Sequence, residues 1–108
     1  MNPLAHMHCA PGGQATALSA AEIDNNLKAL LGWARVGNEI RRTFSFSNYH
    51  QTMAFVNASA WVSHREDHHP DMSVHYNKCV VAYSTHDAGG ITLNDFICAA
   101  KLDALLGN

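Results

Sequence analysis

Apolar residues recur at helical spacing behind the first capping signal in the chain. Ser19 and Glu22 have the S-x-x-E form of a capping box, which favours the start of a helix. The apolar face behind it consists of Ile23, Leu27, Leu30 and Leu31. Gly32 is expected to end this first amphipathic helix.

Two strands are predicted next, joined by a turn at residues 36–39, whose glycine and asparagine tolerate the backbone angles of a tight turn. The second strand covers residues 40–46. Its apolar face at period two consists of Ile40, Phe44 and Phe46. Arg42 falls on the same face, so we expect it to lie near the solvent end of the strand or to pair with an acid. Trp33, just before the first strand, is expected to anchor the core or an interface.

The longest helix is predicted over residues 48–67, with Ser47 as its N-cap. An apolar stripe recurs along it at spacings of four, three, four and three residues. The stripe consists of Tyr49, Met53, Val56, Ala60 and Ser63, and is widened by Phe55 and Val62. Pro70 lies just beyond the last turn and favours termination there.

A second hairpin and a last helix complete the pattern. Residues 72–76 alternate before a tight turn, and residues 79–85 form the return strand. This strand is apolar on both faces, so we expect a second cover, which another subunit would supply. Thr92 and Asp95 form a second capping box. The helix behind it is expected to bury Phe96, Ile97, Ala100, Ala104 and Leu105 before it closes at Gly107.

The order of the elements is helix, two strands, long helix, two strands, helix, or α-β-β-α-β-β-α. Neighbouring strands joined by short turns pair antiparallel, so the pattern predicts an α+β fold. We expect a four-stranded antiparallel sheet with three helices packed on one face. Residues 1–17 carry prolines and glycines without an apolar period and are expected to form a flexible N-terminal segment, and residues 18–108 the domain.

The composition limits the classes of function. The chain has 108 residues, enough for one domain, and its net charge of −2 leaves no broad basic surface for nucleic acid. Only 15% of the residues are charged, which favours burial of surface against copies of the same chain. Three cysteines without C-x-x-C spacing fit the reduced thiols of a cytoplasmic protein. The sequence has no apolar run of about 20 residues and no basic leader, so neither membrane insertion nor secretion is expected.

Eight histidines are unusual in so short a chain. His68 and His69 follow the long helix, and His86 lies where the return strand gives way to a glycine turn. Histidine is the side chain whose unperturbed pKa lies nearest neutral pH, so such a set can give and take protons. His50 and His75 are expected to have structural roles only.

Several short blocks of the sequence match the signature of a known family. They are His68-His69-Pro70-Asp71, Tyr76-Asn77-Lys78, Ser84-Thr85-His86-Asp87, Gly89-Gly90-Ile91-Thr92 and Asp95, with Trp33, Phe44-Ser45-Phe46 and Phe55-Val56-Asn57 upstream. Together they resemble the pterin-4a-carbinolamine dehydratases over about residues 19 to 106. The HHP and STH blocks stand at the family's separation without a gap.

The resemblance implies a lyase that removes water from 4a-hydroxytetrahydrobiopterin to give quinonoid dihydropterin. That product is recycled to tetrahydrobiopterin for aromatic amino-acid hydroxylases, which would be the pathway partner. No metal and no organic cofactor is implied. The family assembles as homodimers or homotetramers, which would cover the second face of the return strand. Animal members also bind a homeodomain transcription factor, a role to which nothing in this sequence points.

The resemblance also implies roles for individual residues. His68, His69 and His86 would be catalytic. His68 and His86 would act as acid and base near the 4a-hydroxyl, and His69 would contribute binding and proton transfer. The pterin would be lined by Asp67, His68, His69, Ser84, Thr85, His86 and Asp87.

One position departs from the family pattern. A glutamate usually stands four residues before the first histidine of the pair, and here that position is His64. Either His64 takes over the polar contact, or Glu66 reaches in from a frayed last turn of the helix. We expect this departure to affect the rate and not the class of reaction.

Two alternatives stay open. His64 and His68 lie one helical turn apart and could bind zinc together with His86, as a histidine-rich metal-binding protein would. A pterin-fold assembly or scaffold protein without catalysis is the third hypothesis. Such relatives need not keep the histidines of the HHP and STH blocks, and this chain has all three.

Overall fold

The order of helices and strands is the predicted one. The computed structural model describes residues 2–107. Within them the three α-helices and four strands are α1 (Ala20–Leu27), β1 (Ala34–Val36), β2 (Glu39–Ser45), α2 (Tyr49–Glu66), β3 (Asp71–Val74), β4 (Lys78–Tyr83) and α3 (Leu93–Ala104). The α+β class and the antiparallel sheet are therefore confirmed. Among residues 2–107, no helix combines the length and apolar character that crossing a membrane requires.

The sheet has the order β1-β2-β4-β3, with every neighbouring pair antiparallel. In the register of β2 and β4, Ile40 stands opposite Tyr83 and Phe44 opposite Cys79. These four side chains are at most 1% exposed, so they form the core face. On the opposite face of β4, Val80 and Ala82 are partly exposed. The subunit expected to cover that face stays a prediction.

An aromatic chain connects the sheet to α2. The ring of Phe44 lies 5.9 Å from Trp33 and 4.5 Å from Phe55, and Trp33 lies 6.0 Å from Tyr83. All four rings are buried. Large rings remove much apolar surface from water, and tilted or edge-on contacts suit their charge distribution. This cluster fixes the end of β4, which leads into residues 84–87.

Arg42 pairs with an acid, as the strand pattern predicted. Its Nη1 donates to Asp103 Oδ1 at 2.6 Å, and its guanidinium lies 4.4 Å above the Phe44 ring. Trp33 Nε1 donates to the same carboxylate at 3.0 Å. Burial raises the pKa of Asp103, although the hydrogen bond from Trp33 and the charge of Arg42 act in the opposite direction. Trp33 is thus the predicted core anchor, with its indole N–H satisfied.

The predicted apolar face of α1 is wrong at one residue. The helix ends at Leu27, and the following turn reaches Gly32, whose φ of +91° is one that residues other than glycine rarely adopt. As a result, Leu31 is 84% exposed, while Ile23 and Leu30 are buried.

The predicted stripe of α2 is also displaced. The buried residues are Thr52, Phe55, Ser59, Val62 and Glu66, whereas Tyr49 and Ala60 are exposed. Polar Thr52 and Ser59 are accepted in the core because their hydroxyls donate to backbone carbonyls, at 3.0 and 2.6 Å. The N-cap is Asn48 and not Ser47, since the Asn48 side chain accepts from Gln51 N.

The end of α3 also differs from its prediction. Phe96, Ile97 and Ala100 are buried as expected, but the helix ends at Ala104. Leu105 follows the end of the helix and is 42% exposed, so it does not belong to the buried side.

The N-terminal residues, expected to be a flexible segment, pack against α2 and α3. Ala10 and Asn94 exchange two hydrogen bonds, at 3.0 and 2.8 Å. The backbone N–H of Cys9 donates to Glu66 Oε1 at 2.7 Å, and Lys101 Nζ donates to the carbonyl of Ala5 at 2.9 Å. Leu4, Ala5 and Cys9 also pack against the core, but they have no helical or strand period, so a search for apolar periodicity does not detect them.

The carboxylate of Glu66 contacts two residues of the N-terminal segment, His8 and Cys9. Burial alone would raise its pKa, but the N–H of Cys9, the ring of His8 at 3.0 Å and the charge of Lys101 outweigh it. The pKa of Glu66 therefore lies below its ordinary value of 4.5. A carboxylate with a lowered folded-state pKa contributes stability above its unfolded pKa, and this contribution is lost as pH falls through the folded pKa.

We expect Glu66→Gln to lower the free energy of unfolding at pH 7 by about 1–2 kcal/mol, because the amide loses charge-assisted hydrogen bonds. The difference from the wild type should shrink as the pH falls below 4.5. Urea denaturation at pH 7 and pH 4 measures both values. Glu39→Gln on β2 is the control, since Glu39 forms an ion pair with the exposed Arg41 and should matter little at either pH. A difference that stays constant with pH would contradict this account of Glu66.

Candidate active site

The two segments singled out in the sequence meet in one cleft. Residues 67–69 follow α2, and residues 84–87 follow β4. The cleft has a volume of about 260 Å³ and is lined by Asp67, His68, His69, Ser84, Thr85, His86 and Asp87. These are the residues predicted to line the substrate. The fold thus brings the whole predicted set together.

The backbone reversal at the end of α2 leaves His68 and His69 with different exposure to solvent. Asp67 has φ of +50° and ψ of +44°, the left-handed conformation that commonly ends a helix. Its N–H and that of His68 bond to the carbonyls of the last helical turn. After this reversal the side chain of His68 is 12% exposed, whereas His69 is exposed at the rim. Adjacent histidines therefore occupy different environments.

The end of β4 forms the other wall of the cleft. Thr85 and Gly90 pair through two backbone hydrogen bonds of 3.0 and 3.3 Å, which close a short loop. Within it, residues 86–88 form a 3-10 turn, and Gly89 has a φ of +72°. His86 and Asp87 lie in this turn and are exposed. Their side chains can therefore reach a ligand in the cleft.

A buried carboxylate holds the inner histidine. His68 Nε2 lies 2.6 Å from Asp95 Oδ1, and the Asp95 side chain is fully buried. The other oxygen, Oδ2, accepts from the Thr85 hydroxyl and the Thr92 N–H, both at 2.9 Å. Because a carboxylate only accepts, Nε2 carries the proton, and Nδ1 is the nitrogen with a lone pair to offer.

The ring of Tyr83 packs against the ring of His68. The two rings are stacked, with centroids 5.8 Å apart and planes 13° from parallel. The Tyr83 hydroxyl is buried without a hydrogen-bond partner among the described residues. Burial raises the pKa of Tyr83, and the nearby Cys98, Cys9 and Asp95 raise it further. Tyr83 therefore stays protonated and acts here as a packing surface for the imidazole.

Neither His64 nor Glu66 lines the cleft. Glu66 is turned toward the N-terminal segment, so it does not reach in from a frayed turn. His64 is exposed, and its ring packs 5.9 Å from that of Trp61. Among residues 2–107 the structure has no group of three or more His, Cys, Asp or Glu side chains arranged to hold a metal ion. The site predicted from His64, His68 and His86 is therefore not formed.

Asp95 is the site residue whose role the sequence did not reveal. The capping-box pattern correctly predicted one of its bonds, to the backbone N–H of Thr92. The same pattern leaves the second carboxylate oxygen unassigned. Its partner, His68, is 27 residues away along the chain, and no spacing rule links them. Only the occurrence of Asp95 among the family's signature residues was a signal that it belongs to the site.

The arrangement suits proton transfer on a small polar heterocycle. Around a single cleft it offers one imidazole held by a buried carboxylate, two exposed imidazoles and two further carboxylates, those of Asp67 and Asp87. Imidazoles exchange protons readily near neutral pH, and carboxylates accept hydrogen bonds from ring and amino N–H groups.

Known proteins are similar to this chain in sequence and in fold. A family profile described as pterin 4 alpha carbinolamine dehydratase matches residues 16–105. A protein of Chromobacterium violaceum, named as a candidate pterin-4-alpha-carbinolamine dehydratase, is 57% identical over 102 residues, which cover 94% of each chain.

Two solved structures are similar to this one. A protein of Brucella melitensis described as a transcriptional coactivator/pterin dehydratase has a TM-score of 0.81 at 32% identity, covering 83% of this chain and 98% of its own. A pterin dehydratase-like protein described as a RuBisCO assembly factor of the alpha-carboxysome has a TM-score of 0.62 at 26% identity, covering 71% and 92%. The family profile spans more than half of the chain. The chain therefore belongs to the pterin-4-alpha-carbinolamine dehydratase family.

Proposed function

We propose that this protein is a 4a-hydroxytetrahydrobiopterin dehydratase, a hydro-lyase that acts by histidine general acid/base catalysis. The observation that carries the proposal is the convergence of His68, His69 and His86 on one cleft, with His68 held by Asp95. Family membership supports the same reaction. The proposed mechanism uses no metal and no organic cofactor.

The reaction requires two proton transfers. One proton goes to the 4a-hydroxyl, so that the C4a–O bond breaks and water leaves. Another proton leaves a ring nitrogen, whose electrons form the new double bond to carbon. Each transfer from or to a positioned side chain is worth a factor of about 10² to 10⁴.

The environments of the histidines divide these roles. His68 offers Nδ1 as the base, and the Asp95 carboxylate stabilises the imidazolium that forms when His68 takes the proton. His86 lies exposed across the cleft and serves as the acid toward the leaving hydroxyl. His69 at the rim contributes to binding and proton transfer. Asp67 and Asp87 accept from the N–H groups of the pterin.

The cellular setting is part of the proposal. The product, quinonoid dihydropterin, would return to tetrahydrobiopterin for an aromatic amino-acid hydroxylase in the cytoplasm. We propose a homodimer or homotetramer as the working form. Partly exposed Val80 and Ala82 on the outer sheet face support this, together with exposed rings at Trp61 and Tyr76.

We expect His69→Ala and His86→Ala each to lower the dehydration rate by about 10² or more, because each removes a proton-transfer group. The rate is measured spectrophotometrically on enzymatically generated carbinolamine. His50→Ala is the matched control, since His50 is exposed on the first turn of α2 and does not line the cleft. Circular dichroism and gel filtration should show unchanged fold and assembly in all three variants.

Wild-type rates in both cleft variants would refute the assignment of these histidines. A wild-type protein without dehydratase activity would instead favour a scaffold role, such as the one described for the RuBisCO assembly factor.

Asp95→Asn tests whether the buried carboxylate positions His68. The carboxamide has one acceptor oxygen where the carboxylate has two, so it cannot serve His68, Thr85 and the N–H of Thr92 together. We expect kcat to fall by about 10² and KM to change much less, because the loss falls on the proton-transfer step. Steady-state kinetics separates the two constants.

Thr92→Ala is the matched control for Asp95→Asn. It removes the hydroxyl that accepts from Asn94 N and bonds to the Thr85 hydroxyl, which lowers stability by about 1 kcal/mol. It leaves both the Asp95–His68 bond and the Thr85–Asp95 bond. Its kcat should stay near the wild-type value. Equal losses of kcat in the two variants would show that Asp95 acts only through the helix start.

A further inference from the structure

Two cysteines from distant parts of the chain meet where the N-terminal segment contacts α3. Cys9 Sγ lies 3.6 Å from Cys98 Sγ, although the residues are 89 positions apart. Cys98 is fully buried on α3, and Cys9 is partly exposed in the N-terminal segment. Cys79, the remaining cysteine, is buried on β4. The pair is already within van der Waals contact, and both thiols are free.

We propose that Cys9 and Cys98 form a reversible intrachain disulfide when the protein meets a hydroperoxide. A disulfide needs an S–S length of about 2.05 Å, so the sulfurs must approach by about 1.5 Å. Cys9 lies between two 3-10 turns, outside any α-helix or strand. The proposal does not depend on the dehydratase reaction.

The surroundings assign different roles to the two thiols. The hydrogen bond with Cys9 and then burial raise the pKa of Cys98 strongly, so Cys98 keeps its proton in the reduced protein. The partly exposed Cys9 therefore meets the oxidant first. Within residues 2–107, Cys98 is the thiol in contact with Cys9, so it acts as the resolving cysteine once Cys9 is oxidised.

The chemistry balances in two steps. The sulfur of Cys9 attacks one peroxide oxygen, an S–O bond forms, the O–O bond breaks, and the leaving oxygen departs as water with the thiol proton. The sulfur of Cys98 then attacks the sulfenic sulfur of Cys9, an S–S bond forms, and the S–O bond breaks. The hydroxyl leaves as water with the proton of Cys98. Two thiols and one hydrogen peroxide give one disulfide and two waters.

Hydrogen bonds hold the N-terminal segment at Cys9 and at Ala10, which keeps the sulfur atom of Cys9 close to that of Cys98. The N–H of Cys9 bonds to Glu66, and Ala10 exchanges two bonds with Asn94. Asn94 and Cys98 are four residues apart and lie on the same side of α3. The disulfide would therefore fasten the segment covalently to α3 and close a loop of about ninety residues. Such a loop stabilises a fold by restricting the unfolded chain.

The test uses the reduced full-length protein treated with hydrogen peroxide. We expect thiols titrated in denaturant to fall from three to one, the intact mass to fall by two hydrogen atoms, and peptide mapping to recover a Cys9–Cys98 link. The Tm should rise by at least about 5 °C and return to its first value with dithiothreitol.

Single substitutions identify the pair. Cys79→Ser should still form the link, whereas Cys9→Ser and Cys98→Ser should form no intrachain disulfide. In Cys98→Ser, a sulfenic-acid reagent should label Cys9. A link through Cys79 or between chains, or three thiols remaining after peroxide, would overturn the proposal. Sulfinic acid at Cys9 without a disulfide would overturn it as well.

Discussion

The carboxylate of Asp95 connects the start of one helix, the end of one strand and the loop that carries the histidines. It is fully buried and receives the N–H of Thr92, the hydroxyl of Thr85 and Nε2 of His68, at 2.9, 2.9 and 2.6 Å. A buried carboxylate is tolerated only when its oxygens are hydrogen-bonded, and here three donors share the two oxygens. The start of α3 and the position of the His68 imidazole therefore depend on the same carboxylate.

Elements with a strong local signal could be predicted from the sequence. Both capping boxes, at Ser19 and at Thr92, are present with both of their reciprocal bonds. The period-two pattern of β2 placed Ile40 and Phe44 in the core, and the charged Arg42 on that face found its acid. The two segments that line the cleft were also recognised, because their histidines stand out in the sequence and their blocks match the family signature.

Features that depend on polar contacts could not be predicted from the apolar pattern. The stripe of α2 was misplaced because Thr52 and Ser59 are buried through bonds to backbone carbonyls, and a search for apolar residues passes over them. The N-terminal segment has no apolar period, yet Glu66 and Asn94 hold it by hydrogen bonds to its backbone. Each acceptor and its donor are more than fifty residues apart, so local sequence carries no sign of the pairing.

The termination of α2 decides which chemistry the histidines can perform. Residues four apart share a face only while a helix continues, and α2 stops at Glu66. Asp67 then adopts a left-handed conformation, so His68 does not stack above His64. The zinc hypothesis assumed an unbroken helical phase between these two residues. Because the phase is broken, His64 stays at the surface beside Trp61, and His68 is free to turn toward Asp95. The reversal at one residue thus places the His68 ring on a buried carboxylate and out of the helical register that a metal ion shared with His64 would need.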